Sequence, residues 1–184
     1  MFAVSLGEDG AELFPLEVWQ AEEFLAHMDR ARPALDPWIP FATFATDLPS
    51  ARALIQRYAE KQAADTGRLY GIRLDGTLVG GVMFRIFDAE SGSCEVGCWL
   101  EPDATGRGLV TRAVRVLIDW AVDVRSMHRI EWHASAGNTP SIDVARRLGM
   151  TRDGVLRESY PYHGVRHDTE IWSVLAPEWR AGRA

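Results

Sequence analysis

At 184 residues the chain has the length of one domain, residues 1–184, and not of two full-sized ones. With 47% hydrophobic and 25% charged residues it has the composition of an ordinary soluble globule, which excludes a disordered, collagenous or membrane-spanning chain. The net charge of −6 speaks against nucleic acid as the main partner, since phosphate binding depends on accumulated positive charge, and mildly favours a cationic substrate.

The opening MFAVSLGEDGAELF carries acids where a secretion signal carries basic residues, so a cytoplasmic location is expected. A strand is predicted over residues 11–16, then a helix over 18–29 with Trp19, Phe24, Leu25 and Met28 on one face. The X-Pro steps of PALDPWIPFATFATDLP discourage a long helix there. Asp47 to Ser50 read as the start of a second helix over 51–64. Residues 69–74 and 77–87 form a hairpin around Asp75-Gly76, and residues 94–101 a third strand stopped by Pro102. The clearest helix spans 107–124, where Val110, Val114, Leu117, Ala121 and Val124 recur at helical spacing. A strand over 128–134, a helix over 139–148 closed by Gly149, and strands over 155–160 and 165–175 complete the chain.

The order β-α-α-β-β-β-α-β-α-β-β predicts an α+β fold, a mixed, mostly antiparallel central sheet of about seven strands flanked by helices. Turn-linked strands pair antiparallel, and the strand-helix-strand step runs parallel. No disulfide or metal staple is needed at this length. Cys94 and Cys98 lie four strand residues apart, roughly 13 Å, and read as small apolar residues. His163 and His167 have a spacing that serves metals but no second pair of ligands, so no metal is expected. The chain has a single lysine, Lys61, and no GxxxxGK[ST] loop.

Two segments stand out chemically. In CEVGCWLEPDATGRGLVTRAV a strand leads through two glycines into a helix, whose first amides and dipole suit a pyrophosphate; a plain tight turn is the alternative. In SAGNTPSIDVARRLGM a second strand leads to Asn138 and Ser141, where Asn138 or Thr139 also reads as a helix cap.

Together with LDPWIPF, DGTLVGGVMF, GVLRESY and HDTEIWSVL, these segments resemble the GNAT superfamily of acyl-CoA N-acyltransferases, in its RimJ/RimL branch of ribosomal-protein N-terminal acetyltransferases. The resemblance implies acetyl-CoA as acyl donor, an amine acceptor (a protein N-terminus or a small molecule), no metal, and dimers as in many family members. It implies that the backbone of Trp99, Leu100 and Glu101 pairs with pantetheine, and that the amides of Gly106, Arg107, Gly108, Leu109, Val110 and Thr111 hold the pyrophosphate with Arg107 and Arg112 near phosphates. Asn138 then binds the pantetheine arm, and Ser141 protonates the departing thiolate. Three positions depart from the family pattern: Thr105 and Val110 in the loop, and Ala145 where many members carry a tyrosine acid.

An α-amine is roughly a tenth neutral at pH 7 and a lysine amine about one part in 2,500, so without a strong base the former suits direct attack better. Glu95 is the candidate base or water-holder by resemblance, with a salt bridge as the other reading; Glu158 and Tyr160 are in reserve. Trp38, Phe41 and Phe44 either pack in the core or line the acceptor cleft, an ambiguity shared by Tyr160, Tyr162 and Trp172. Another acyl donor such as succinyl-CoA, an antibiotic acceptor, a non-catalytic CoA-sensing module and a nucleotide-dependent oxidoreductase are the competing readings.

Overall fold

Asp75 and Gly76 take φ values of 50° and 79°, the left-handed backbone that a two-residue turn requires. They fold β3 (Arg68–Leu74) against β4 (Thr77–Asp88), and a second turn brings back β5 (Ser93–Leu100). This meander is the centre of the fold. The computed structural model describes residues 3–183, apart from the side chains of Phe41 and Ala42. Strands β1 (Val4–Ser5) and β2 (Ala11–Pro15) extend the sheet on one side. On the other lie β6 (Arg129–Ser135), then β8 (Val165–Leu175), then β7 (Thr151–Tyr162) at the edge. All neighbours are antiparallel except β5 and β6.

The sheet is thus mixed, mostly antiparallel and helix-flanked, as the sequence predicts, with eight strands instead of about seven. The added one is β1, too short to carry a periodic signal. Helices α1 (Ala21–Leu35) and α2 (Leu48–Ala63) cover one face, where Phe24, Met28, Leu54 and Ile55 pack on Leu69, Met83 and Trp99. Helix α3 (Leu109–Asp119) and helices α4 (Thr139–Arg147) and α5 (Ala176–Ala181) cover the other. Val114, Leu117 and Ile118 are fully buried there, each burial contributing about 1.5–3 kcal/mol.

Several boundaries differ from the sequence reading, among them the start of α2 at Leu48 and the span of β7, Thr151–Tyr162 in place of 155–160. Helix α1 runs through Pro33 to Leu35, because Pro33 falls in its last turn and the burial of Ala31 and Leu35 outweighs one missing helical hydrogen bond. Helix α3 starts at Leu109 and not at residue 107, and its last turn, Trp120–Val124, widens into a π-turn. Helix α5 has no counterpart in the sequence reading; its Trp179 indole donates to Asp119 at 2.8 Å.

The feature that positions the site is the junction of β5 and β6. Their parallel ladder holds only Ser93–Arg129, Cys94–Ile130 and Glu95–Glu131, after which the strands part. From Val96 to Leu100, β5 pairs with β4 alone.

Candidate active site

The alternation of an antiparallel ladder decides which backbone groups face the opening. The Glu101 amide donates to the Val79 carbonyl at 2.8 Å, and Leu100 faces Gly80. Leu100 and Cys98 therefore turn their N–H and C=O groups away from β4, toward the gap, while Trp99 turns both to β4 and Glu101 turns its N–H there, its carbonyl accepting the Ala104 amide at 3.1 Å. Of Trp99, Leu100 and Glu101, only Leu100 keeps backbone groups on the open side. Trp99 and Glu101 are tied down by their side chains as well. The Trp99 indole donates to Nε2 of buried His27 at 2.8 Å, and His27 Nδ1 meets Glu101 Oε1 at 2.5 Å. Arg30 adds a bond to the same oxygen at 3.0 Å. Accepting from indole at Nε2 fixes the tautomer with hydrogen on Nδ1. Burial lowers the His27 pKa, against the pull of Glu101, so the ring is neutral.

At the mouth of α3, Gly106 and Gly108 take φ values of 76° and 69°, and a Cβ at either would meet no atom within 4 Å. Gly108 is the residue before the helix, and the Arg112 amide is bonded back to its carbonyl at 3.0 Å. The amides of Leu109, Val110 and Thr111 precede that bond and have no intrahelical acceptor. Arg107 is exposed in this loop. Arg112 lies at the same loop: its guanidinium grips Asp9 at 2.9 and 2.6 Å, and donates to the Leu6 carbonyl at 3.0 Å and the Arg107 carbonyl at 3.3 Å. Thr105 closes its own turn, with Oγ1 donating to Pro102 at 2.7 Å.

Across the gap, Asn138 caps α4 by accepting the Ser141 amide at 3.3 Å, which leaves its NH2 free to donate. The Trp132 indole donates to Ser141 Oγ at 3.0 Å. With that acceptor site filled by Trp132, the hydroxyl proton points elsewhere.

Glu95 sits in the last pair before the fork and is 4% exposed. Arg85 Nε meets its Oε1 at 2.8 Å, so the salt-bridge reading holds for one oxygen. Oε2 is buried with no partner among the described residues. A buried carboxylate oxygen without a donor is costly, and a donor arriving with a ligand relieves that cost. His133 Nδ1 lies 3.7 Å from Glu95 Oε1, and its Nε2 is 2.9 Å from Glu131. Sequence reasoning missed both Arg85 and this histidine. The signal was the spacing of Glu131 and His133 on one face of β6, legible only once Glu95 is known to oppose Glu131.

The hairpin tip leans over the same region. Tyr162 donates to Asp36 at 3.3 Å and to the Ile39 carbonyl at 3.2 Å, and burial pushes its pKa up to about 12. Tyr160 stacks on Tyr162 with centroids 5.7 Å apart, and burial raises its pKa against the charge of Arg85. Trp38 lies beside Gly137, in the turn before Asn138. Phe44 is exposed and Trp172 is core, while the side chain of Phe41 lies outside the described residues. Glu158 is exposed in a bulge of β7, its amide donating to Asp168 Oδ1 at 2.8 Å. Burial pushes the thiols of Cys94 and Cys98 up to about 12, which leaves neither a nucleophile. Among the described residues no group of three or more His, Cys, Asp or Glu could hold a metal, and no helix is long and apolar enough to cross a membrane.

The chain that carries this parted pair of strands, open glycine loop and capped serine is similar to known proteins. Residues 12–151 match the acetyltransferase (GNAT) domain. The chain belongs to the GNAT acetyltransferase family. It is 28% identical over 169 residues to YdaF of Bacillus subtilis (strain 168), named as a ribosomal N-acetyltransferase, covering 89% of this chain and 90% of that one. It is 22% identical over 108 residues to the ribosomal-protein-serine acetyltransferase of Escherichia coli (strain K12), covering 59% and 60%. Among solved structures, RimL, the ribosomal L7/L12 α-N-protein acetyltransferase in complex with coenzyme A, superposes with a TM-score of 0.89 at 16% identity, covering 94% of this chain and 97% of RimL. The fold is therefore GNAT-like, and the chain is a GNAT N-acetyltransferase.

Proposed function

We propose that this chain, acting as a single domain, moves the acetyl group of acetyl-CoA to a primary amine, either a protein N-terminal α-amine or the amine of a small molecule. The observation that carries this reading is the fork: β5 and β6 part immediately after Glu95, between the glycine loop and Ser141. Pantetheine would lie in the gap as a partial strand against Cys98 and Leu100, with its pyrophosphate on the amides of residues 106–111 and Asn138 donating to its arm.

The amine, bound at Glu95 Oε2 in its neutral form, attacks the thioester carbonyl; its lone pair becomes the new C–N bond. The oxyanion takes a hydrogen bond from a gap-facing amide of β5. The intermediate collapses, the C–S bond breaks, and the thiolate takes its proton from Ser141 Oγ. The ammonium proton left on the product nitrogen passes to Glu95 or water, and Ser141 recovers a proton from solvent. The direct route needs no thiol nucleophile from the chain, and burial pushes the Cys94 thiol up.

The names of YdaF and of the E. coli serine acetyltransferase support a ribosomal-protein N-terminus as acceptor. A cytoplasmic location and a homodimer fit that reading. The test is direct: purified protein is incubated with acetyl-CoA and a panel of peptides and small amines, and free thiol and acetylated product are followed. Transfer to α-amines well ahead of lysine side chains is expected. CoA binding without transfer to any amine would instead favour a sensing module.

A further inference from the structure

Two glycines on the central strands differ in why they are glycines. At Gly81 of β4 an added Cβ would fall 2.1 Å from the Trp99 ring and 2.4 Å from the Tyr70 carbonyl, so packing alone forbids a side chain. At Gly97 of β5 the nearest atoms to an added Cβ are Met83 Cγ at 3.5 Å, Arg85 Cδ at 3.8 Å and Met83 Sδ at 3.8 Å, which is ordinary contact. Gly97 is also absent from the residues with positive φ. Nothing in the fold requires a glycine there, and glycine in a strand interior costs backbone entropy and forgoes packing.

Its position suggests what replaces packing. Side chains alternate along a strand, so residue 97 shares the α1–α2 face with Glu95 and Trp99. Both neighbours are buried, at 4% and 2% exposure, while Gly97 between them is only partly buried. The bare α-carbon thus lies between Glu95, whose Oε2 is buried without a partner among the described residues, and Trp99, with the side chains of Met83 and Arg85 as a wall beside it. Tyr58 donates to Met83 Sδ at 2.9 Å, and Glu95 accepts from Arg85, so this wall is held in place.

We infer that Gly97 is a specificity-determining residue: its missing side chain is the room taken by the amine-bearing carbon of the acceptor as its nitrogen reaches Glu95. The acceptor is then a primary amine whose adjoining carbon is approached closely by the strand backbone, and residue 97 sets the size of what that carbon carries. This inference rests on the proposed acetyl transfer.

The experiment compares wild type, Gly97→Ala and Gly97→Val with peptides beginning in Gly, Ala, Ser or Leu. Both variants are expected to fold, by circular dichroism and thermal melting, and to bind CoA within about twofold of wild type. One added methyl in an acceptor pocket is worth about 10–200-fold in kcat/KM. Gly97→Ala should therefore lose at least about tenfold with Leu-initial peptides and least with Gly-initial ones, and Gly97→Val should lose transfer to all four. If both variants keep the wild-type acceptor ranking and kcat/KM, the inference is wrong and acetyl transfer stands. If wild type binds acetyl-CoA but transfers to no amine, both fall together. A loss of CoA binding in Gly97→Ala would also overturn it, by placing residue 97 in the donor site.

Discussion

Two strand-turn-helix units face each other across the fork, and they finish their helices in opposite ways. At the start of α4 the chain supplies its own cap: Asn138 accepts the Ser141 amide and the first turn is internally satisfied. At the start of α3 the residue before the helix is Gly108, with no side chain to offer, and the first amides face an open loop. A glycine at the N-cap forgoes only about a few tenths of a kcal/mol against a side-chain cap. The difference teaches that the α4 mouth is closed by the chain's own side chain, whereas the α3 mouth leaves its first amides open to the ligand proposed for it.

The sharpest way to separate the two ends is Ser141→Ala. It leaves the Asn138 cap in place, since the cap uses the amide, and removes the proposed proton donor together with the acceptor of the Trp132 indole. Turnover should fall by on the order of 100-fold in kcat with little change in CoA affinity, measured by thiol release and calorimetry. An unchanged kcat would give the proton to water instead. Gly108→Val attacks the other end, forcing a branched residue into left-handed backbone at the mouth of α3. CoA affinity should drop at least about tenfold, from backbone strain of about 1–3 kcal/mol. Asn138→Ala should lower stability by about 1 kcal/mol in urea unfolding.

A pH titration distinguishes the units without mutation. Glu101, just ahead of the glycine loop, is pinned by neutral His27, whose pKa burial lowers from its ordinary 6.5. The unfolded chain therefore binds the proton more readily, so the contribution of His27 is fully present above pH 6.5 and is lost as pH falls below it. The melting temperature should decline with acidification from that point, and His27→Gln should flatten this part of the slope. The smallest effect is expected from Asp9→Asn, which frees Arg112: a slight loss of stability that vanishes in high salt, read by thermal melting.

Much of the scaffold is legible in the sequence because its signals are local. Asp75-Gly76 specifies a hairpin, and the spacing of Val110, Val114 and Leu117 specifies a helix face, whatever lies elsewhere in the chain. Glu95, Asn138 and Ser141 stand out from their motifs for the same reason. What escapes is set by register between distant segments. His27 is an unremarked residue on a helix until Trp99 and Glu101, over 70 positions away, close on it. Arg112 finds Asp9, 103 positions earlier, only once β1 and β2 have joined the sheet. His133 becomes a neighbour of Glu95 only through the three-pair ladder of β5 and β6.

That short ladder makes the sheet two leaves joined at a seam. Past Glu131 no backbone bond among the described residues stitches the β1–β5 leaf to the β6–β8 leaf, and cohesion there falls to side chains packed beneath. A thin molecule lodged along the seam and anchored on both margins acts as a splint, binding the folded leaves and not the unravelled chain. At a hundred times its dissociation constant it should stiffen the whole protein by about 2.7 kcal/mol. The donor is then as much a structural part of the working enzyme as a reagent it consumes.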